Sequence, residues 1–380
     1  MSASPGTGLS TRSRHQPSEA SAPTALERVF YPPTPEPWTR KALLSPLSLL
    51  SWTYSGAVRL RGALYDSGLL RAEQVEGLRV ISVGNVNVGG TGKTPAVLHL
   101  AEMLSREGRK VGILTRGYGR ESPEPLTFTG VEPAPKVTEA GDEPLLLARR
   151  CPRARLFVGA NRVAAARRAR DEFGLDTVLL DDGFQHRRLH RDEDLVVVDE
   201  SVGLGNGHLL PRGPLREPPS ALRRATLLWL RAAPPSSAPT VSMPWLEAIT
   251  APRVRTRYGP TGWWDSSGTE HATSALEGRP VLVLAGLARP GGFLRTVTGL
   301  GAEVRDAALF PDHHPFTAAE LRDVEARARR EGALVVTTEK DSVRLPPGFE
   351  AWVVRLGVEV LEGEPHLRRA LGLPAATRDL

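Results

Sequence analysis

Val88-Gly89-Gly90-Thr91-Gly92-Lys93-Thr94 sets three glycines, a lysine and a hydroxyl side by side. Glycines let successive backbone N–H groups converge on an anion, and a helix opening at the lysine adds partial positive charge. Lys93 can then reach β- and γ-phosphates, and the Thr94 hydroxyl can ligate Mg²⁺. Asn87 stands where the phosphate-loop pattern wants its first glycine, a departure that Gly89 and Gly90 soften. The carboxylate to match is Asp181, at the end of the apolar run Val178-Leu179-Leu180. A strand ending there delivers it to the phosphate edge of a sheet. Asp182 follows directly, and two adjacent carboxylates on an extended chain point opposite ways. One is therefore expected on the metal and the other on water or a neighbour. Gly141-Asp142-Glu143-Pro144 offers two more carboxylates in a turn, and Asp312-His313-His314 sits in a distant loop. An aspartate on one lobe and a histidine on another can form a base–orienter pair once a cleft closes, taking a proton from a substrate hydroxyl. Thr338-Glu339-Lys340-Asp341 lacks the asparagine of a guanine-reading loop, which disfavours a GTPase. That segment either serves the adenine or ends a strand.

These groups need a scaffold. Residues 78–83 read as a buried strand, followed by the glycine loop and a helix through Met103. Strands are predicted at 111–115, 177–180 and 195–198, with an arginine-rich helix over 161–173. A second set begins with strands at 281–284 and 334–337. Alternating strands and helices predict an α/β fold, a parallel phosphate-loop sheet with helices on both faces, plus a second, smaller α/β lobe. The boundaries expected are a disordered leader over 1–37, a membrane-associating helical segment over 38–76, a phosphate-loop domain over 77–255 and the smaller lobe over 256–380.

Composition narrows the partners. With 40% apolar and 24% charged residues the chain of 380 can bury ordinary cores. Its single cysteine, Cys151, rules out an internal disulfide framework and a cysteine-based zinc cluster. Only five of the 49 basic residues are lysines (41, 93, 110, 136 and 340), and the net charge is +6, which favours anionic partners. No RNA-binding element with interleaved aromatics stands out, so nucleic acid is not expected. Between Lys41 and Arg59 lie seventeen uncharged residues, with Leu43, Leu47, Leu50, Tyr54 and Val58 at helical spacing. That is short for a bilayer span, which takes ~20 strongly apolar residues. An amphipathic helix with basic flanks (Arg40, Lys41, Arg59, Arg61) either lies in a membrane interface or packs on the core.

Taken in order, the glycine loop, Thr115-Arg116-Gly117-Tyr118-Gly119, Gly141-Asp142-Glu143-Pro144, Asp181-Asp182-Gly183-Phe184-Gln185-His186, Leu210-Pro211-Arg212-Gly213-Pro214-Leu215-Arg216-Glu217, Phe310-Pro311-Asp312-His313 and Thr338-Glu339-Lys340-Asp341 form a set. The set resembles the tetraacyldisaccharide 4′-kinase family across residues 40–375, and that family's loop also lacks the first glycine. The resemblance implies ATP-dependent phosphorylation of the 4′-hydroxyl of a tetraacylated glucosamine disaccharide 1-phosphate, the lipid A precursor. It implies a peripheral enzyme at the cytoplasmic face of the bacterial inner membrane, meeting an anionic surface; a monomer is expected. By the same resemblance Gly89, Gly90, Thr91, Gly92, Lys93 and Thr94 hold ATP, and Thr94 and Asp181, with Asp182 or Glu143, hold Mg²⁺. Asp142 matches the catalytic base and His313 its partner, while Arg116, Tyr118, Arg162, Gln185 and His186 fall beside the nucleotide or acceptor. Rival readings are a kinase for a soluble sugar or nucleotide, and a nucleotide-gated assembly protein.

Overall fold

The computed structural model describes residues 25–32, 36–233 and 243–375. The first half of the chain supplies β1 (Arg79–Gly84), β2 (Val111–Thr115), β3 (Leu126–Phe128), β4 (Arg155–Val158), β5 (Thr177–Asp181), β6 (Glu193–Asp199) and β7 (Leu227–Arg231). The second supplies β8 (Arg253–Trp264), β9 (Glu270–His271), β10 (Pro280–Gly286), β11 (Glu303–Phe310), β12 (Leu334–Thr338) and β13 (Trp352–Glu362). They form one thirteen-stranded sheet, ordered β11-β10-β12-β13-β8-β7-β6-β1-β5-β2-β4-β3, with β9 paired to β8. Strands such as β2 and β5 are buried at every position, which is why they read as unbroken apolar runs rather than alternating ones.

The helices are α1 (Ala25–Phe30), α2 (Trp38–Leu43), α3 (Ser45–Asp66), α4 (Lys93–Arg106), α5 (Val137–Ala140), α6 (Asp142–Arg150), α7 (Arg162–Asp171), α8 (Pro290–Gly299), α9 (Ala318–Arg330), α10 (Glu339–Ser342) and α11 (Glu364–Ala370). In the first half α4 and α6 cover one face of the sheet with Leu100, Leu104 and Leu147, and α7 covers the other with Val163 and Ala166. In the second half α8 and α9 divide the faces in the same way, through Phe293 and Val297 on one side and Leu321 and Val324 on the other.

The two expected lobes are thus two halves of a continuous sheet. They meet where β8 and β13, 12 and 11 residues long, pair antiparallel. The division expected at 255/256 runs through β8, whose residues 253–256 pair with β7 while its stretch from Arg255 onward pairs with β13. The chain end also returns: Leu367, Ala370, Leu371 and Leu373 pack into the first core, with α4, rather than the second.

The leader reading over 1–37 needs correction from residue 25 on; residues 1–24 and 33–35 lie outside the described set. Phe30 is buried, and its carbonyl accepts from the Asn206 backbone N–H at 2.9 Å. Glu36 pairs with Arg212, itself only 2% exposed. An apolar seat and a buried ion pair outweigh the Ser/Pro-rich composition that argued for disorder. On α3, Leu47, Tyr54 and Val58 are half-buried as their spacing suggests, but Leu50 is exposed, as is Leu43 at the end of α2. Ser51 takes the innermost position because its hydroxyl donates to the Leu209 carbonyl at 2.8 Å, while Tyr54 donates to the Arg216 carbonyl at 3.0 Å. Polar bonds rather than the leucine stripe set the rotation of this helix.

Candidate active site

β1 and β5 are parallel neighbours in a register that sets Asp181 beside Val83, one residue before β1 ends. The loop between β1 and α4 therefore leaves the sheet next to the Asp181 carboxylate. Gly84 makes the approach possible: a Cβ there would lie 2.6 Å from the Phe184 backbone nitrogen. The Leu210–Glu217 run lies alongside the loop, with Val88 N–H donating to Pro214 at 2.8 Å and Arg216 N–H to Val86 at 2.7 Å. Asn87, the departure from the glycine pattern, is buried and donates to the Gly203 carbonyl at 2.9 Å. A side chain serves there because the position anchors the loop rather than facing an anion.

Gly92 caps α4 at φ +88°, a conformation other residues rarely hold. Its carbonyl accepts from the Tyr258 hydroxyl at 2.9 Å, and that hydroxyl accepts from Trp229 Nε1 at 3.0 Å. Burial pushes the Tyr258 phenol well above its ordinary range, so it stays a donor. Lys93 follows at the first helical position, its Nζ 3.3 Å from Asn85 Oδ1 and 3.4 Å from Asp182 Oδ1.

The paired aspartates part because the chain leaves its extended course at Asp182 rather than by alternation along a strand. Asp181 is buried and accepts from the Thr115 hydroxyl at 3.1 Å. Burial, then the charges of Glu143 and Asp182, push its carboxyl up to about 7. Asp182 turns away at φ +54° and takes both arms of Arg216, at 2.8 and 2.9 Å. Burial raises its carboxyl, but the Arg216 hydrogen bond and the Lys93 charge outweigh this and hold it at about 2. Among the described residues no three His, Cys, Asp or Glu side chains converge as a metal cage, so Asp181, Asp182 and Glu143 do not form one. The donor set still suits Mg²⁺, which takes one or two carboxylates and completes its shell with substrate phosphates and water. Thr94 and Asp181 are hard oxygen donors, and the mutual repulsion that raises Asp181 is what a cation relieves.

Across the site, Asp142 opens α6 and is 5% exposed. His313 Nδ1 lies 2.8 Å from Asp142 Oδ2. The expected aspartate–histidine pair is thus formed already, with no closure required. Arg344 Nε stands 3.5 Å from the same oxygen, and its guanidinium also pairs with Asp341 and donates to the His314 carbonyl at 2.9 Å. His314 itself turns to Glu320, 3.0 Å away.

Of the remaining expected residues, Tyr118 is 77% exposed with its ring 6.5 Å from that of His313. Arg116 is exposed at the end of β2. Arg162 is buried and donates to the Gly159 carbonyl at 2.7 Å. Burial, then the neighbouring Arg116, brings its guanidinium down to about 10. Gln185 donates to the Asn85 carbonyl and to Glu217, both at 3.0 Å. Burial and then Arg162, Arg191, Arg116 and Arg61 bring His186 down to about 4. A neutral imidazole ringed by arginines is the outcome. Arg61, on α3, donates to the Gln185 carbonyl at 3.1 Å, which ties that helix to the site.

Sequence reasoning missed Asn85, Tyr258 and Arg344, quoted Arg216 without a role, and placed Lys340 only in a segment that serves the adenine or ends a strand. Arg216 was within reach, since each of the two arginines of the 210–217 Pro/Gly run needs an anion. Tyr258 gave no signal, being one tyrosine in a long strand.

A family model for tetraacyldisaccharide-1-P 4′-kinase matches residues 41–372. The tetraacyldisaccharide 4′-kinase of Anaeromyxobacter dehalogenans strain 2CP-C is 48% identical, over 92% of this chain and 95% of its own length. That of Syntrophus aciditrophicus is 38% identical over 80% of this chain and 86% of its own. Among solved structures, LpxK from Aquifex aeolicus in complex with ATP superposes with a TM-score of 0.74 at 31% identity, covering 88% of this chain and 98% of that one. By the motifs, the architecture and these relatives, the chain belongs to the tetraacyldisaccharide 4′-kinase family.

Proposed function

We propose that this chain transfers the γ-phosphoryl group of ATP to the 4′-hydroxyl of a tetraacylated glucosamine disaccharide 1-phosphate. The observation that carries the reading is Asp142, a buried carboxylate held by His313 at 2.8 Å, in a family member with an intact Gly-Lys-Thr loop. As the sugar oxygen bonds to the γ-phosphorus and the bond to the ADP oxygen breaks, the hydroxyl proton passes to Asp142. His313 orients that carboxylate. Lys93 balances the charge spreading over the phosphoryl oxygens, an electrostatic role that positioned cations fill in such transfers. Thr94 and Asp181 would hold Mg²⁺, which would supply further neutralisation of the phosphate charge. Arg116 and Arg162 supply guanidinium donors suited to a phosphate on the acceptor. Tyr118, Gln185 and neutral His186 are its hydrogen-bonding partners.

A four-chain acceptor stays in a bilayer, so the enzyme has to meet it there. Among the described residues no helix is long and apolar enough to cross a membrane. Trp38, Leu43, Leu49, Trp52 and Leu60 are nonetheless exposed on α2 and α3, beside Arg40, Lys41 and Arg59. Apolar side chains with basic flanks suit an interfacial helix on an anionic surface. We read the enzyme as peripheral on the cytoplasmic face, where ATP is available, and as a monomer, since one chain supplies every group named.

The test is incubation of the purified protein with labelled ATP and the acylated disaccharide in mixed micelles, followed by location of the new phosphate. Label at the 4′-oxygen is expected. ATP hydrolysis without a phosphorylated lipid, or label at another hydroxyl, overturns the reading.

A further inference from the structure

Lys340 is one of only five lysines in the chain, and phosphate binding does not employ it. It lies in α10 directly after β12, and His313 follows β11 closely; both strands run parallel to β10. The two residues therefore emerge at the same edge of the sheet. Lys340 Nζ lies 3.2 Å from His313 Nε2 and 2.7 Å from Asp312 Oδ1. That Asp312 oxygen also accepts from the His313 backbone N–H at 3.1 Å, steadying a residue at φ +59°.

The donor inventory decides the rest. An ammonium has three donors and no acceptor, so Nε2 must accept from it. The single proton of a neutral imidazole then sits on Nδ1, where it is donated to Asp142 Oδ2, 2.8 Å away. We infer that Lys340 is a positioning residue for the transfer: its ammonium, donating to Nε2, fixes the ring proton of His313 on Nδ1 and aims it at Asp142. The inference rests on the reading of Asp142 as base.

The groups around the ring show why a donor is needed at Nε2. Asp142 faces it from α6 and Asp312 from its own turn, with Oδ2 3.9 Å from Nε2. Either carboxylate can accept the ring proton, so the two tautomers compete. Lys340 from α10 decides between them by occupying Nε2, and Arg344 just beyond α10, 3.5 Å from the shared oxygen, holds Asp142 as the acceptor. Tyr118 adds an uncharged ring 6.5 Å away. The Nδ1–H donor then orients the Asp142 carboxylate and leaves its other oxygen free.

Nitrogen-15 NMR of histidine-labelled full-length protein tests this, with the His313 signals identified by their loss in His313→Gln. In the unchanged protein the two ring nitrogens of His313 are expected at well-separated shifts, Nδ1 protonated and Nε2 not. In Lys340→Met the ring loses its donor at Nε2 and the ring proton redistributes, so the two shifts converge. The kcat falls about tenfold, while KM for ATP changes by less than about twofold. Lys340→Arg keeps a donor and restores both the Nδ1–H signature and kcat. An Nε2–H or evenly mixed ring in the unchanged protein overturns the inference and needs no variant to fold; so does an unchanged Nδ1–H signature in folded Lys340→Met. Full turnover in Asp142→Ala overturns the base reading instead, a result the NMR tautomer does not share.

Discussion

The phosphate loop and the Asp142–His313 pair serve one site but are held in different ways. Lys93 and Asp181 depend on two hydrogen-bonded neighbours, β1 and β5, whose register sets them side by side. Asp142 and His313 are 171 positions apart and come from opposite halves of the sheet. What joins those halves near the pair is the contact of α6 with α10, where Arg150 bridges Glu339 at 2.7 Å and Glu102 at 3.0 Å, and Arg149 donates to Ser342 at 3.0 Å. The phosphate side is built from sheet backbone. The base side hangs on side chains between elements, so it yields first when the halves shift.

Substitutions can separate the two. Lys93→Met removes the main protein charge from the phosphate side and should lower kcat by about 10³–10⁵-fold, the range for cations that stabilise phosphoryl transfer. Single-turnover measurement with ATP in excess checks it. Asp142→Ala acts on the other side, with an expected loss of about 10²–10⁴-fold in kcat and ATP affinity little changed. Equal damage to ATP binding by both variants would erase the contrast drawn above.

Tyr258→Phe tests how far the loop depends on support from β8. It removes one hydrogen bond to Gly92 and another from Trp229, about 1 kcal/mol each at most. KM for ATP should rise about fivefold, with the pH profile of kcat unmoved. A change confined to kcat would instead tie Tyr258 to the base side.

The smallest effect concerns stability. Asp181, raised to about 7, holds a proton in the folded protein that the unfolded chain has lost by then. Its charged form therefore destabilises the ligand-free fold above pH 7, and the penalty fades as pH falls through 7 toward the ordinary aspartate value of ~3.9. Ligand-free Asp181→Asn should melt higher than the unchanged protein at pH 8, with the gap narrowing steadily as the pH falls to 5. A gap that widens on acidification would contradict the charge assignment.

Much of this was legible beforehand. The Gly-Lys-Thr loop, the strand ending at Asp181 and the parallel strands follow from local pattern, because backbone hydrogen bonding and burial on both faces leave few other solutions. Asp181 and Asp182 do part ways, but through the turn at Asp182, φ +54°, rather than the alternation of an extended chain that the sequence suggested. The N-terminal segment misled, since composition says nothing of Arg212 waiting for Glu36. The leucine stripe of α3 misled too, because two hydroxyl donors fixed its rotation.

Residue order alone thus determined which groups are the candidates for the chemistry and which strand ends carry them, since those depend on spacings of a few positions. Tertiary structure alone decided that β8 and β13 fuse two lobes into one sheet, that Tyr258 supports Gly92, and that Lys340 meets His313. Those are long-range contacts, set by how elements far apart in the chain pack and share hydrogen bonds, and no local period encodes them.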